Sequence, residues 1–386
     1  MAATIVSPKM LVVGGGAVRE VAGVLAKLGI RRPLIVTDAY MQSSGMLSRV
    51  TGVLDEAGVK WDVFADTVPD PTDTAVEKGV AKLRGGSFDG LVALGGGSPI
   101  DTAKAMAILA VGGGKMRDYK VPFAADRADL PIVAIPTTAG TGSEVTRFTV
   151  INDTENDEKM LIAGLGCLPA AALVDYELTL GLPRPMTAAT GMDALTHALE
   201  AFVSKKANPY ADVMAKSALG LIARNIRTAY GTPDSRPARE AMMMGATHAG
   251  LAFSNSSVAL IHGMARPIGA FFHVHHGLSI AMLLPACTAW SADAAPQRYA
   301  EAARAMGIAG PDVGDGEAAR RLVGELRQLN ADLALPTPKK YGIDEARWRD
   351  LMSTMATQAI ASGSPANNPR VPQPAEIVEI YKQAWA

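Results

Sequence analysis

The sequence predicts an α/β domain built on a parallel sheet, followed by an all-helical domain. Three observations carry that expectation. Up to about residue 180, short β-branched runs alternate with helical patterns, and strands spaced by helices need the long crossovers that make parallel sheets. Beyond Leu182-Pro183-Arg184-Pro185 the apolar spacing is helical. At 386 residues the chain is also long for one core, since single cores seldom grow past about 250–300 residues. The domains are read as 1–180 and 181–386, with a cleft between them as the natural place for a ligand.

In chain order, Leu11–Val13 is the first strand and Val18–Leu28 the helix after it. Leu34–Thr37, Trp61–Phe64, Gly90–Leu94, Ile132–Ile135 and Leu173–Val174 are further strands, each a compact apolar run. Gly45–Ala57, Thr74–Leu83 and a helix opening at Pro99 lie between them. Thr146–Asn152 and Glu158–Ala163 form an antiparallel hairpin around the polar turn Asp153–Asp157. Helical spacing then runs through Thr187–Val203, Tyr210–Ala229, Ala238–Leu251, Gly316–Leu329 and Asp344–Ala361. The proline-bearing stretches 231–237 and 364–375 read as loops.

Composition excludes several classes of function. Lys+Arg 37 balance Asp+Glu 38, so there is no basic footprint for nucleic acid or for a membrane surface. No apolar run reaches the roughly 18 residues a spanning helix needs, and the N-terminus has no signal-peptide pattern. Two distant cysteines, Cys167 and Cys287, make neither a disulfide framework nor a thiolate zinc site. The expected setting is the cytoplasm.

Gly95-Gly96-Gly97-Ser98 joins the strand ending at Leu94 to the next helix. Glycines let a backbone approach a pyrophosphate, and the free N–H groups of a helix start face the anion. Pro99 suits a first helical position. Ser98 with Asp101 resembles a capping box, and the same residues also read as a capped turn without ligand. Gly14-Gly15-Gly16 lacks the third glycine of a dinucleotide fingerprint, because Arg19 stands there. Asp38, at the end of the second strand, can accept both ribose hydroxyls of an adenosine and would repel a 2′-phosphate, which favours NAD over NADP. A capping aspartate is its alternative. The segment Pro136–Glu144, rich in Thr and Gly, suits a ribose or an amide, or is a self-satisfied polar turn.

All six histidines lie between His197 and His276. Asp193 and His197 are four apart, which puts them on one face of a helix. With His262 and His276 they make a one-carboxylate, three-imidazole set for Fe²⁺ or Zn²⁺, leaving a position for a substrate oxygen. The Asp193/His197 pair alone also reads as an ordinary helix pair.

GGGSPIDTAK at 95–104, IPTTAGTGSEVT at 135–146, TAATGMDALTHALEAF at 187–202, HGMARPIGAFFHVHHG at 262–277 and the C-terminal NNPRVPQPAEIVEIYKQAW resemble the iron-containing (group III) alcohol dehydrogenases. The likeness runs from about residue 10 to the end. It implies NAD(P)-dependent interconversion of a primary alcohol and its aldehyde, or of a related alcohol and carbonyl compound, by hydride transfer near a divalent metal, Fe²⁺ or another such as Zn²⁺; Asp38 narrows the cofactor to NAD. It implies metal ligands Asp193, His197, His262 and His276, and a homodimer or larger oligomer. It places cofactor contacts on Asp38, Gly97, Ser98, Thr137, Thr138, Thr146 and Lys159; the turn adds Gly95, Gly96 and Asp101 as candidates.

The chain departs from that family at three points. Arg266 stands where many members have a histidine proposed to relay the alcohol proton, and an arginine cannot deprotonate near neutral pH. It suits a carboxylate, sulfonate or phosphonate instead, or a structural ion pair; His273 is then the candidate relay, beside His262. His275 replaces a common proline before His276, so the tandem leaves two ligand assignments open. Asp70 replaces a common Asn. The rival readings are a reductase for small anionic aldehydes docked by Arg266, a lyase of the dehydroquinate synthase type, and a non-catalytic NAD-sensing protein.

Overall fold

The computed structural model describes residues 2–127, 129–156 and 158–386. It divides into two compact units, Val6–Leu180 and Gly181–Ala386. The N-terminal residues through Ile5 group with the helical unit rather than the α/β unit expected for them, because sheet pairing starts only at Met10.

The α/β unit is built on parallel strands β1 (Met10–Val13), β2 (Pro33–Asp38), β3 (Asp62–Thr67), β4 (Gly90–Gly95) and β5 (Ile132–Pro136). The antiparallel pair β6 (Phe148–Asp153) and β7 (Glu158–Ala163) forms a separate hairpin, and β8 (Ala171–Val174) completes the main sheet. The sheet order is β1-β8-β5-β4-β2-β3. Helices α1 (Val21–Leu28), α2 (Ala39–Ser43), α3 (Met46–Glu56), α4 (Asp73–Gly85) and α5 (Gly97–Gly112) connect the strands. Strand alternation divides the core in two. Leu34, Val36, Leu91, Ala93 and Ile132 pack with Val76, Val80 and Ile100 of α4 and α5. Ile35, Val92, Leu94, Val133 and Ile135 pack with Val24, Leu25, Val50 and Leu54 of α1 and α3. With helices on both faces, the central strands are apolar throughout.

The sheet order locates a crevice. The chain leaves β2 for β3 on one side and leaves β4 for β5 on the other. Since β2 and β4 are neighbours, their carboxyl ends flank the switch point where open α/β sheets bind ligands. Asp38 stands at one end and the glycine turn at the other.

Local structure differs from the sequence reading in three places. Helix α5 starts at Gly97 with Gly96 as its cap, not at Pro99. Ser98 therefore lies inside the first turn, and no Ser98–Asp101 capping box forms. The turn is sharp because Gly95 adopts φ 146°, where a Cβ would also lie 2.5 Å from Pro99. The hairpin starts at Phe148, leaving Thr146 in the preceding loop; of its expected turn, Asp157 lies outside the described residues.

The helical unit contains α6 (Arg184–Val203), α7 (Pro209–Gly231), α8 (Arg236–Ser254), α9 (Leu260–Phe272), α10 (His276–Ala292), α11 (Pro296–Ala305), α12 (Asp315–Asp332), α13 (Pro338–Tyr341), α14 (Glu345–Ala361) and α15 (Pro374–Ala384). Every residue of α6 from Thr187 to Val203 is buried, against α7, α8 and α10. Polar side chains on such a helix need partners inside the fold. Helices α9 and α10 escape a periodicity reading because Pro267 and Pro285 lie within them. Among the described residues no helix is long and apolar enough to cross a membrane.

Gly277 sets how closely α10 approaches α6, since a Cβ there would stand 2.4 Å from the Ala189 carbonyl oxygen. Backbone is its obstacle, and backbone cannot swing away. Gly277→Ala is therefore expected to destabilise the protein by about 1–3 kcal/mol, as overpacking does, and to lower metal retention by moving His276. Thermal denaturation and metal analysis of the variant check both effects.

Candidate metal centre

Helix α6 presents Asp193, His197 and Glu200 at i, i+4 and i+7, one stripe of one buried face. Helix α9 brings His262, and the first residue of α10 is His276. These elements converge on one atom. Asp193 Oδ1 lies 3.5 Å from His262 Nε2, 3.6 Å from His276 Nε2 and 3.9 Å from His197 Nε2. Ligand atoms of Asp193, His262 and His276 all lie within 4.8 Å of one another. His197 stands at the margin of that group, its ring stacked between His262 at 4.4 Å and Phe253 at 4.3 Å.

The residues fit a cation. Tetrahedral ligands at about 2.1 Å from a metal are about 3.4 Å from each other, close to the spacings found. Asp193 Oδ1 and His262 Nε2 are buried with no hydrogen bond of good geometry among the described residues, a cost that a shared ion removes. An oxygen and imidazole nitrogens suit Fe²⁺ and Zn²⁺ alike.

The electrostatics agree. Burial would raise the Asp193 carboxyl, yet the surrounding imidazoles of His197, His276 and His262 hold it well below the usual carboxylate range. Burial would push the His262 imidazole down, but the carboxylates of Asp193 and Glu200 raise it to about 9. Two buried carboxylates thus call for positive charge at this point.

Glu200 is a functional residue that the sequence reading missed. Its carboxylate accepts from His262 Nδ1 at 2.6 Å, from Ala259 N at 2.9 Å and from Ile261 N at 2.5 Å. It fixes the start of α9 and leaves His262 Nε2 facing Asp193. Such carboxylate–imidazole contacts orient metal ligands. The signal was present: Glu200 continues the Asp193/His197 stripe by one turn.

His276, not the exposed His275, enters the group. His273 is exposed and in the left-handed region at φ 53°, ending α9. Arg266, one turn beyond His262, is part-buried.

In the α/β unit, Asp38 uses Oδ1 to cap α2, accepting from Met41 N at 2.8 Å; the capping alternative is thus realised in its structure. Gly95 and Gly96 form the turn and Gly97 and Ser98 the first helical residues, with Thr137 bonded to the Gly95 carbonyl and Thr138 against Gly96. Asp101 turns inward, its oxygens taken by Ser143 Oγ at 2.6 Å and Val150 N at 3.0 Å. Lys159 pairs with Asp70 at 3.0 Å. Lys104 is a second residue that sequence reasoning missed. Wholly buried, its Nζ donates to Ser143 Oγ, Thr146 O, Thr146 Oγ1 and Phe148 O at 2.8, 3.0, 3.2 and 2.8 Å. With Asp101 it clasps the Thr146 loop to α5.

A doubly wound sheet ending in a glycine turn, on one chain with a buried carboxylate–imidazole centre, is the outline of a metal-dependent oxidoreductase. Comparison with known proteins makes this specific. The family model for iron-containing alcohol dehydrogenase matches residues 8–176, and that for the C-terminal part of the Fe-containing alcohol dehydrogenase family matches 187–385. The chain is 36% identical over 378 residues to the NAD-dependent methanol dehydrogenase of Bacillus methanolicus, covering 98% of each. It superposes on a solved 1,3-propanediol oxidoreductase with TM-score 0.95 at 35% identity, covering 100% of both. It superposes on sulfoacetaldehyde reductase from Bifidobacterium kashiwanohense with TM-score 0.90 at 28% identity, covering 100% of this chain and 99% of the other. The chain belongs to the iron-containing alcohol dehydrogenase family and is an oxidoreductase acting between alcohols and aldehydes. The lyase and non-catalytic readings are set aside.

Glu200→Gln is expected to weaken metal binding by roughly 10–100-fold while helical content is retained, as read by metal content after chelator competition and by circular dichroism. Lys104→Met removes the cation near Asp101 and the buried donor to the Thr146 and Phe148 carbonyls, so a loss of about 1–3 kcal/mol is expected in chemical denaturation.

Proposed function

We propose that this protein interconverts a small primary alcohol and its aldehyde with NAD, using a divalent cation held by Asp193, His197, His262 and His276. The observation that carries this is the convergence of three imidazole nitrogens on Asp193 Oδ1 at 3.5–3.9 Å. Fe²⁺ is the proposed metal, with Zn²⁺ fitting the same donors. Residues 1–180 act as the dinucleotide domain and 181–386 as the metal and substrate domain, in a cytoplasmic homodimer or larger assembly. The two free, buried cysteines suit a reducing compartment.

A divalent cation held there would supply Lewis acidity toward a substrate oxygen, and a bound nicotinamide would supply the hydride chemistry. The chain does the rest. Gly95 and Gly96 form the turn that lets the backbone come close, and Gly97 and Ser98 offer the first N–H groups of a 16-residue helix to a pyrophosphate. Asp38 accepts from the adenosine ribose at the neighbouring strand end. Thr137, Thr138 and Thr146 line the segment proposed for the nicotinamide half, with Lys159 toward its ribose. Asp101 and Lys104 are positioning residues that hold this segment in place. Glu200 keeps the His262 Nδ1 proton, so that Nε2 stays a free donor. Arg266 stays charged and takes no proton; His273, exposed to solvent, is the side chain proposed to carry the alcohol proton out. The relatives' named substrates, methanol and 1,3-propanediol among them, support a small alcohol or aldehyde here.

Purified protein should contain about one divalent metal per chain and reduce NAD⁺ with short primary alcohols. His262→Ala should lower kcat by orders of magnitude and lower bound metal in parallel; full turnover by the metal-stripped variant would overturn the metal's role. Asp38→Ala should reduce the preference for NAD⁺ over NADP⁺ at least tenfold in kcat/KM and cost about 1 kcal/mol through the lost cap. An unchanged cofactor preference removes Asp38 from the ribose site.

A further inference from the structure

Arg266 is the one charged side chain on the metal-facing helix α9 whose presence the site has not yet explained. It lies on the same face as His262 and one turn, about 6 Å, further along. Among the described residues it makes no hydrogen bond and no ion pair, although it is part-buried. Glu200 is the acid that influences it most. That carboxylate is already committed to His262, Ala259 and Ile261, and no ion pair joins it to Arg266. Burial accordingly pulls the guanidinium below its ordinary pKa, only partly offset by Glu200. A part-buried guanidinium with no acid bonded to it keeps its donors open to a ligand, and its planar fork matches an oxyanion in a bidentate way.

We propose that Arg266 docks an acidic substituent of the substrate, so that the preferred aldehyde is a short one carrying a carboxylate, sulfonate or phosphonate. This rests on the reading of the site as an alcohol–aldehyde oxidoreductase and names its substrate class. Helix α9 then supplies both ends of the grip, His262 at the metal that holds the reacting oxygen and Arg266 at the acid. The short reach between them selects small substrates.

The experiment compares wild type, Arg266→Gln and Arg266→Lys as metal-loaded proteins with NADH. The substrates are sulfoacetaldehyde and succinic semialdehyde as anions, propanal and butanal as neutral counterparts. Charge-assisted hydrogen bonds are worth about 1.5–3 kcal/mol, so the ratio of kcat/KM for anionic over neutral aldehydes should fall roughly 10–150-fold in Arg266→Gln, mostly through KM. Arg266→Lys should keep part of the ratio. Sulfonate and carboxylate arms that respond alike define a general oxyanion seat; a response from one arm alone assigns that acid. An unchanged ratio overturns the proposal and leaves the oxidoreductase reading standing.

A second measurement does not depend on turnover. In metal-free protein, methanesulfonate or acetate should raise Tm for wild type and not for Arg266→Gln, while neutral acetamide raises neither. Without added anion, Arg266→Gln should melt no lower than wild type, because an unpartnered cation is removed. A clear fall in Tm would mark Arg266 as a structural cation and overturn the docking role. If wild type reduces no aldehyde at all yet shows the anion-dependent shift, the oxidoreductase reading fails and the anion seat survives.

Discussion

A carboxylate oxygen buried among three imidazoles is the constraint on which the helical unit depends. Asp193 is buried away from solvent, and among the described residues its Oδ1 has no hydrogen bond of good geometry. A buried charge of this kind is tolerated only when positive charge is brought to it. The unit answers by wrapping α6 completely, bringing His262 and His276 to within 3.6 Å of Asp193 Oδ1 and stacking His197 against His262. A second buried carboxylate, Glu200, deepens the demand and at the same time orients the imidazole that meets it. The affinity for a cation is thus prepared by packing rather than by the ligands alone.

The role proposed for the α/β unit sets a different problem, which is to present backbone groups to an anion. Its sheet order puts the carboxyl ends of β2 and β4 side by side, and Gly95 lets the chain enter α5 without a side chain in the way. The loop carrying Thr146 has little regular structure of its own. It is held by Lys104 and Asp101, both on α5, so the helix whose start is proposed to receive a pyrophosphate also carries the residues that fix the neighbouring segment. A change in that clasp would reach the proposed cofactor site without touching a cofactor.

Arg266 stands where the family resemblance leads one to expect a histidine. Replacing a titrating imidazole with a permanent cation changes what the site can do with a proton and what it can hold. Both consequences follow from one fact of chemistry: a guanidinium donates hydrogen bonds and does not accept protons. On the proposed reading, the proton path falls to other groups and specificity is electrostatic as well as steric.

Much of this was legible in the residues. Compact apolar runs between helical patterns gave the parallel sheet, because strands buried on both faces leave a continuous signal. The glycine turn, Asp38 and the Asp193/His197 pair stood out through local spacing alone. Where the pattern was broken, as by Pro267 in α9 and Pro285 in α10, the helices went unseen although tertiary packing forms them. Tertiary structure alone decided that Asp101 faces inward, that Asp38 caps α2, that His276 rather than His275 meets Asp193, and that Glu200 and Lys104 organise their sites. Those choices depend on which atoms meet across long separations in sequence, such as Gly277 against Ala189 or Glu200 against His262. Spacing along a chain carries no such information; only the folded packing, with backbone and charge excluding every other arrangement, does.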